Sequence, residues 1–231
     1  LEVLRDVGVR FTIPEALGIF REAGLRVDGD IVKFAPNQVE DALKKVPAII
    51  VRKGVSSGKD VVLGDGSFHL GVGSLPIWVV EAETRKRRPA TLSDMVNFAR
   101  LADALDSFTI GNSVVQPQEI PVSVMHALWN ANAAINMSKP SCCWYATSEK
   151  AAKDGVRVLA AACGGVEELK KAKTWAITIC PDSALQWGKS IWGLLEMAKV
   201  EVPIEILPMP FQGSTHPVTC AGALVQANAE T

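Results

Sequence analysis

The pattern of apolar positions changes its rhythm near residue 91. Before that point the apolar runs are short and mixed in type. Leu17, Phe20 and Ala23 recur at helical spacing, and Gly24 stops the run. Thr12-Ile13-Pro14-Glu15 just ahead of it reads as a capping box, with Thr12 as cap and Glu15 reaching back to its amide. Leu25–Phe34 contains the turn "VDGD" between two β-prone runs. Pro36 opens a second helix over Asn37–Val46, with Val39, Leu43 and Val46 on one stripe. Residues 47–90 read as β, through "AIIV", "DVVLGDGSFHLGVG" and "IWVVEAETRKRRPA".

From Thr91 onward, strand-like runs alternate with helical stripes. Thr91-Leu92-Ser93-Asp94 starts a helix to about Leu105, with Met95, Phe98, Leu101, Ala102 and Leu105 facing inward. Strands are expected at Ser107–Val115, Ser141–Tyr145, Thr174–Cys180 and Pro203–Met209. Helices are expected at Val122–Met137, Glu149–Cys163, Ala184–Lys199 and Pro217–Glu230. The strand starts are spaced by about 30 residues, the size of one strand–helix crossover unit. Short runs rich in Val and Ile suit a parallel sheet covered on both faces. The first fold reading is therefore α/β: an incomplete (β/α)8 TIM barrel over 51–231 with an N-terminal α+β extension over 1–50. A doubly wound sheet is the second. Leu1 and Thr231 each fall inside an apparent helix, so a piece of a longer protein is expected.

Composition narrows the picture. The 231 residues carry 24 basic and 25 acidic side chains, a net charge of −1, and 48% are apolar. That supports a large core and offers no charge footprint for nucleic acid or a membrane surface. The basic run Arg85–Arg88 reads as a solvated turn. The 5 cysteines show no CxxC or Cys/His metal spacing, which favours a reduced cytoplasmic setting and no metal site. No apolar run reaches the roughly 20 residues needed to span a bilayer. Gly71-Val72-Gly73-Ser74 lacks a full phosphate-loop pattern, and a tight bend is the better reading.

The stretch "PMPFQGSTHPVT" (208–219) is the most unusual in the chain. In a barrel, chemistry gathers where strands end. Pro208 and Pro210 stiffen a strand exit, Gly213 permits a bend, and Pro217 suits a first helical turn. The helix start would then offer free amides to a carboxylate or a developing anion. The plain alternative is helix capping by Thr215.

The same stretch, within "PIEILPMPFQGSTHPVTCAGALVQANAE", resembles the trimethylamine methyltransferase family of corrinoid-dependent methyltransferases. So do "VGVRFTIPEALGIFREAGLRVDGDIVKFAPNQVEDALKKVP" and "VVEAETRKRRPATLSDMVNFARLADAL", in the same order along the chain. The resemblance implies a TIM barrel that takes a methyl group from a methylated amine, either trimethylamine or a quaternary amine such as glycine betaine. It implies that the methyl goes to the cobalt of a separate corrinoid (cobalamin) protein, with no cofactor bound to this chain directly. Some members use pyrrolysine, at a position that falls beyond the segment matching Thr231.

For such a substrate no catalytic triad is needed; carbon, nitrogen and cobalt must be aligned and water excluded. A quaternary ammonium accepts no hydrogen bond, so aromatic faces are its natural receptors. Trp144, Tyr145 and Phe211 sit at expected strand exits, and alternation lets only one of Trp144 and Tyr145 face inward. Gln116, Gln212 and Thr215 are polar groups at the same expected rim, each able to orient a ligand or to bond local backbone. Asp182 could cap the next helix or meet a cation. Cys163-Gly164-Gly165 superficially resembles a zinc-ligand stretch, but it ends a helix, where glycine serves as a C-cap. Two other readings stay open. A TIM-barrel lyase or aldolase acting on a small carboxylate would want a lysine at a strand exit, whereas Lys139 lies at a strand start. A non-catalytic half-barrel would self-associate through open strand edges, and a homo-oligomer is expected in either case.

Overall fold

The computed structural model describes every residue except Ser57, Ser74, Trp144, Tyr145, Thr147 and Ser183. A π-helical turn at Val3–Val7 leads into β1 (Val9–Phe11), α1 (Pro14–Glu22), β2 (Arg26–Asp28), β3 (Ile31–Lys33) and α2 (Pro36–Leu43). Two hairpins follow, β4 (Ile50–Arg52) with β5 (Val61–Leu63), and β6 (Trp78–Val80) with β7 (Arg87–Pro89). The larger part runs through α3 (Leu92–Ala104), α4 (Val122–Asn136), β8 (Ser141–Cys143), α5 (Glu149–Cys163) and α6 (Val166–Ala172). It ends with β9 (Trp175–Ile179), β10 (Gln186–Trp187), α7 (Ile191–Lys199), β11 (Ile204–Ile206) and α8 (Cys220–Glu230).

In the N-terminal sheet Asp28 lies opposite Ile31, so Gly29 and Asp30 form the expected two-residue turn, with Gly29 at φ 64°. β1 pairs antiparallel with β3, and β10 joins its other edge in parallel. Arg10 and Thr12 donate their amides to the carbonyls of Leu185 and Trp187. This corrects two expectations. Thr12 is spent on strand pairing, so α1 has Ile13 at its N-cap and starts on Pro14, whose missing amide costs nothing there. Residues 186–187 are strand and not helix, because β1 recruits them. Of the stripe expected over Asn37–Val46, Val39 is half-buried, while Leu43 at the end of α2 and Val46 beyond it are exposed.

β8, β9 and β11 form a parallel sheet, with Cys143 and Ile204 both opposite Ile177. Single parallel bridges extend the order, Gly111 to Ser141 and Gly71 to Ile110. Neighbouring strands therefore follow chain order. The sheet is open, however, and the described strands fall into four small sheets rather than a closed barrel. The protein is a mixed α/β chain. The strand expected over Ser107–Val115 shrinks to its bridge residues because the next side chains turn into a buried polar network. Asn112 Oδ1 accepts from Trp129 Nε1 at 3.0 Å, and Ser113 Oγ donates to the Trp129 carbonyl at 2.9 Å.

One face of this sheet is apolar. Trp175, Ile177 and Ile179 pack with Leu159 of α5 and Ile191 and Met197 of α7, in a core that also includes Val9, Phe11 and Val32 of the N-terminal sheet. Burying each such large side chain contributes about 1.5–3 kcal/mol. α3 starts as expected, with Thr91 accepting from the Asp94 amide and the Asp94 carboxylate answering to the Thr91 amide. Its buried stripe is Met95, Ala99 and Ala102, while Leu101 and Leu105 are exposed. α5 matches its expected bounds, between the cap Ser148 and Gly164 in the left-handed region.

The β4–β5 hairpin crosses the edge where the parallel strands begin. Lys53 and Ser56 donate amides to the carbonyls of Ala172 and Ser138. The side chain of Arg52 is fully buried, with Nη2 donating to the carbonyls of Ser141 at 2.5 Å and Thr174 at 3.2 Å. Loops at the opposite edge, where the strands end, are left to build a site.

Candidate functional site

β11 ends with the Leu207 amide donating to the Ile179 carbonyl at 2.9 Å. Pro208 and Pro210 supply no amide, so the ladder cannot continue. The chain then closes on itself. Ser214 and His216 donate their amides to the Phe211 carbonyl at 3.0 and 3.1 Å, and Gly213 donates to the His216 carbonyl at 2.9 Å. Gly213 sits at φ 76°, the bend expected of it.

α8 begins later than expected, at Cys220, and its cap is Thr219, whose Oγ1 accepts from the Gly222 amide at 3.2 Å. Thr215 is therefore not the cap. Its Oγ1 accepts from the Phe211 amide at 3.3 Å and lies 3.0 Å from His216 Nδ1. The loop and the first turns of α8 enclose an open hollow of about 560 Å³, lined by Pro210, Phe211, Gln212, Ser214, Cys220, Ala223 and Leu224. Phe211 is 59% exposed and offers an accessible ring face. Gln212 lies across the hollow with Nε2 donating to Cys220 Sγ at 3.3 Å.

The structure thus brings Phe211 and Gln212 together, with Thr215 in the same loop outside the lining. Gln116 stands apart. Its amide donates to the Pro76 carbonyl and its own carbonyl accepts from the Gln118 side chain, both at 3.0 Å. Its neighbour Val115 belongs to a second core with Ala90, Met95, Met125 and Trp129. Trp144 and Tyr145 lie outside the described residues. Asp182 caps no helix; its amide donates to the Gln186 carbonyl at 3.0 Å and its side chain is exposed.

Behind the loop lie residues that the sequence reading missed. The side chains of His216 and Glu230 are almost wholly buried, with Nε2 3.4 Å from Oε2. Glu230 Oε1 also accepts from the Leu185 amide at 2.9 Å and from Gln226 Nε2 at 3.0 Å. The available signal was periodicity: Glu230 lies on the same helical stripe as Ala223 and Ala227. A carboxylate there must meet a partner or remain an unpaired buried charge.

The sheet face opposite the apolar core carries Cys142, Thr178 and Glu205. Thr178 Oγ1 donates to Glu205 Oε2 at 2.9 Å, and Glu205 Oε1 lies 3.7 Å from Arg52 Nη1. Burial raises the pKa of the Cys142 thiol, and that of Cys143 well beyond its ordinary value. Among the described residues no group of three His, Cys, Asp or Glu side chains could hold a metal ion. Lys139 is buried at the start of the sheet, donating Nζ to the carbonyls of Ala102 and Leu105 at 3.0 and 2.9 Å, where a cation caps the C-terminus of α3. Burial lowers its pKa. It is placed for structure, not for carbonyl chemistry at a strand exit. Among the described residues no helix is long and apolar enough to cross a membrane.

The family model for trimethylamine methyltransferase matches residues 1–231. The trimethylamine methyltransferase MttB of Desulfitobacterium hafniense (strain DSM 10664 / DCB-2) is 32% identical over 238 residues, covering 100% of this chain and 47% of that protein. A glycine betaine methyltransferase of Desulfitobacterium hafniense (strain Y51) is 29% identical over 236 residues, covering 100% of this chain and 48% of that protein. The MttB protein of Methanosarcina thermophila is 26% identical over 239 residues, covering 100% and 49%. The chain spans about half the length of the curated relatives it matches.

Proposed function

The chain belongs to the trimethylamine methyltransferase family, and from that premise we propose that it is part of an enzyme that moves a methyl group from a methylated amine to the cobalt of a corrinoid carried by a partner protein. Its substrate class is trimethylamine or a quaternary amine such as glycine betaine, the two named for its relatives. The fold proposed for the whole enzyme is a TIM barrel. The parallel stretches at 71, 110–111, β8, β9 and β11 support this, because they neighbour one another in chain order, as barrel strands do.

The observation that carries the site is the loop at the exit of β11, which presents an accessible Phe211 ring beside the Gln212 amide over an open hollow. An N-methyl cation offers no lone pair, so a ring face is the receptor that suits it, worth about 0.5–2 kcal/mol depending on how dry the contact is. One of Trp144 and Tyr145, at the exit of β8 in the sequence, is proposed as a further ring face of the same rim. Gln116 is proposed as a polar group on that rim. The Gln212 amide can turn from Cys220 to a substrate carboxylate if one is present. The reduced corrinoid, once docked, supplies the nucleophile. The residues of this chain hold the methyl-bearing nitrogen in line and keep water away.

The test uses the whole enzyme with a reduced corrinoid protein and either trimethylamine or glycine betaine, following the cobalt absorption spectrum. Methylation of cobalt with either amine supports the proposal. No spectral change with any methylated amine counts against it.

A further inference from the structure

We propose that the buried His216–Glu230 pair positions the loop that carries Phe211 and Gln212, and so sets how tightly that loop holds a methylated ammonium; this rests on the function proposed above. Neither side chain lines the hollow. Both act through the contacts behind it.

Hydrogen bonds and one close electrostatic contact link the pair to the loop. The Phe211 amide donates to Thr215 Oγ1 at 3.3 Å, which leaves the hydroxyl proton free to point at His216 Nδ1, 3.0 Å away. Nδ1 then accepts and the ring proton sits on Nε2, which lies 3.4 Å from Glu230 Oε2 as a close electrostatic contact outside hydrogen-bond geometry. Glu230 is itself held by the Leu185 amide and by Gln226 Nε2. Gln226 Nε2 also donates to the Thr215 carbonyl at 3.1 Å, closing a second route from α8 to the same loop. The carboxylate therefore joins the end of α8, the segment before β10, and the site loop. Phe211 is the loop's exposed ring, and its own amide donates to Thr215 Oγ1.

The inference is tested on the whole enzyme with hydrogen exchange and with tetramethylammonium as the probe. His216→Ala and Thr215→Val are expected to speed exchange over residues 211–216 by roughly fivefold to tenfold, the loss of about one hydrogen bond. The amides of β9 should keep their protection, and tetramethylammonium should bind more weakly by a similar factor. His216→Asn places an amide oxygen near the position of Nδ1 and should restore slow exchange in the loop. Unchanged loop exchange in Thr215→Val, acceleration spread equally over β9, or a His216→Asn chain that behaves like His216→Ala would each overturn the inference. If His216→Ala does not fold, Thr215→Val decides. If the unsubstituted chain binds no tetramethylammonium, the proposed function loses its site. Loop exchange then judges the positioning role alone: faster exchange supports it, and unchanged exchange overturns it.

Discussion

Arg52 and Glu205 meet across the polar face of the parallel sheet, Nη1 to Oε1 at 3.7 Å, although they belong to different sheets and lie far apart in the chain. The guanidinium is fully buried and also serves the carbonyls of Ser141 and Thr174, while the carboxylate is half-exposed and fixed by Thr178. The burial is therefore one-sided. Arg52→Ala removes two hydrogen bonds donated to carbonyls and the pair at once, and should lower stability by about 3–5 kcal/mol. Glu205→Gln leaves the carbonyl bonds in place and should cost about 1 kcal/mol. Urea denaturation of the two variants measures the difference, and equal losses would contradict this account.

Arg88 grips Asp94 through Nη1 and Nη2 at 2.6 and 2.9 Å. That guanidinium, helped by Thr91, holds the Asp94 carboxyl well below the usual carboxylate range. A depressed folded-state value means that the stabilisation is complete above the ordinary carboxylate pKa of about 4 and fades as the pH falls toward the folded-state value. Asp94→Asn should therefore reduce stability at neutral pH, and the gap to the unsubstituted chain should narrow in acid. Denaturation midpoints from pH 7 downward check this, and a gap that widened in acid would reverse the sign.

Phe211 is the exposed ring of the site loop. Phe211→Ala should weaken tetramethylammonium binding by about twofold to thirtyfold, the range set by a cation over a ring face. Phe211→Tyr should bind as before. Calorimetry distinguishes the two, and equal affinities for Ala and Tyr would remove the ring from the site.

Gly213 has room for a side chain, since a Cβ there would meet only Val218 Cγ2 at 3.6 Å, but its φ of 76° is unfavourable to one. Gly213→Ala should cost about 1–2 kcal/mol from the backbone alone, and Gly213→Asn should cost less. Similar melting points for the glycine and alanine chains would show that the loop adopts another backbone.

Cys220 is exposed at the lip of the hollow, whereas Cys143 is buried with its thiol pKa pushed far up. A thiol reagent should label Cys220 first and leave Cys143 untouched until the chain unfolds. Peptide mapping after brief labelling reads this directly.

What the sequence disclosed was local, and what it hid was recruited from a distance. Ser148 and Gly164 bracket α5 with a cap and a left-handed stop, so both ends could be read from neighbouring residues. Asp28–Ile31 announced its hairpin in the same way. Gln186–Trp187 could not be read so, because only β1, far off in the chain, makes them a strand. The expected cap Thr215 gives way to Thr219 because the loop closure around Phe211 takes up the Thr215 hydroxyl. Phe211 and Gln212 line the hollow that follows β11, while Gln116, beside the second core's Val115, is outside its lining. His216 and Glu230 became a pair only when α8 was laid against the loop.

The pairing of β10 with β1 has an implication for anyone wishing to cut or graft this chain. The outer strand of the N-terminal sheet is borrowed from residues 186–187, so the first fifty residues are not a detachable appendage. Trimming them away would bare Trp187 and strip the Arg10 amide from the carbonyl of Leu185, whose own amide holds Glu230. A deletion at the start of the chain would thus be felt near the site loop, through the Leu185–Glu230 bond and through the turn at Val3–Val7 that packs against α8.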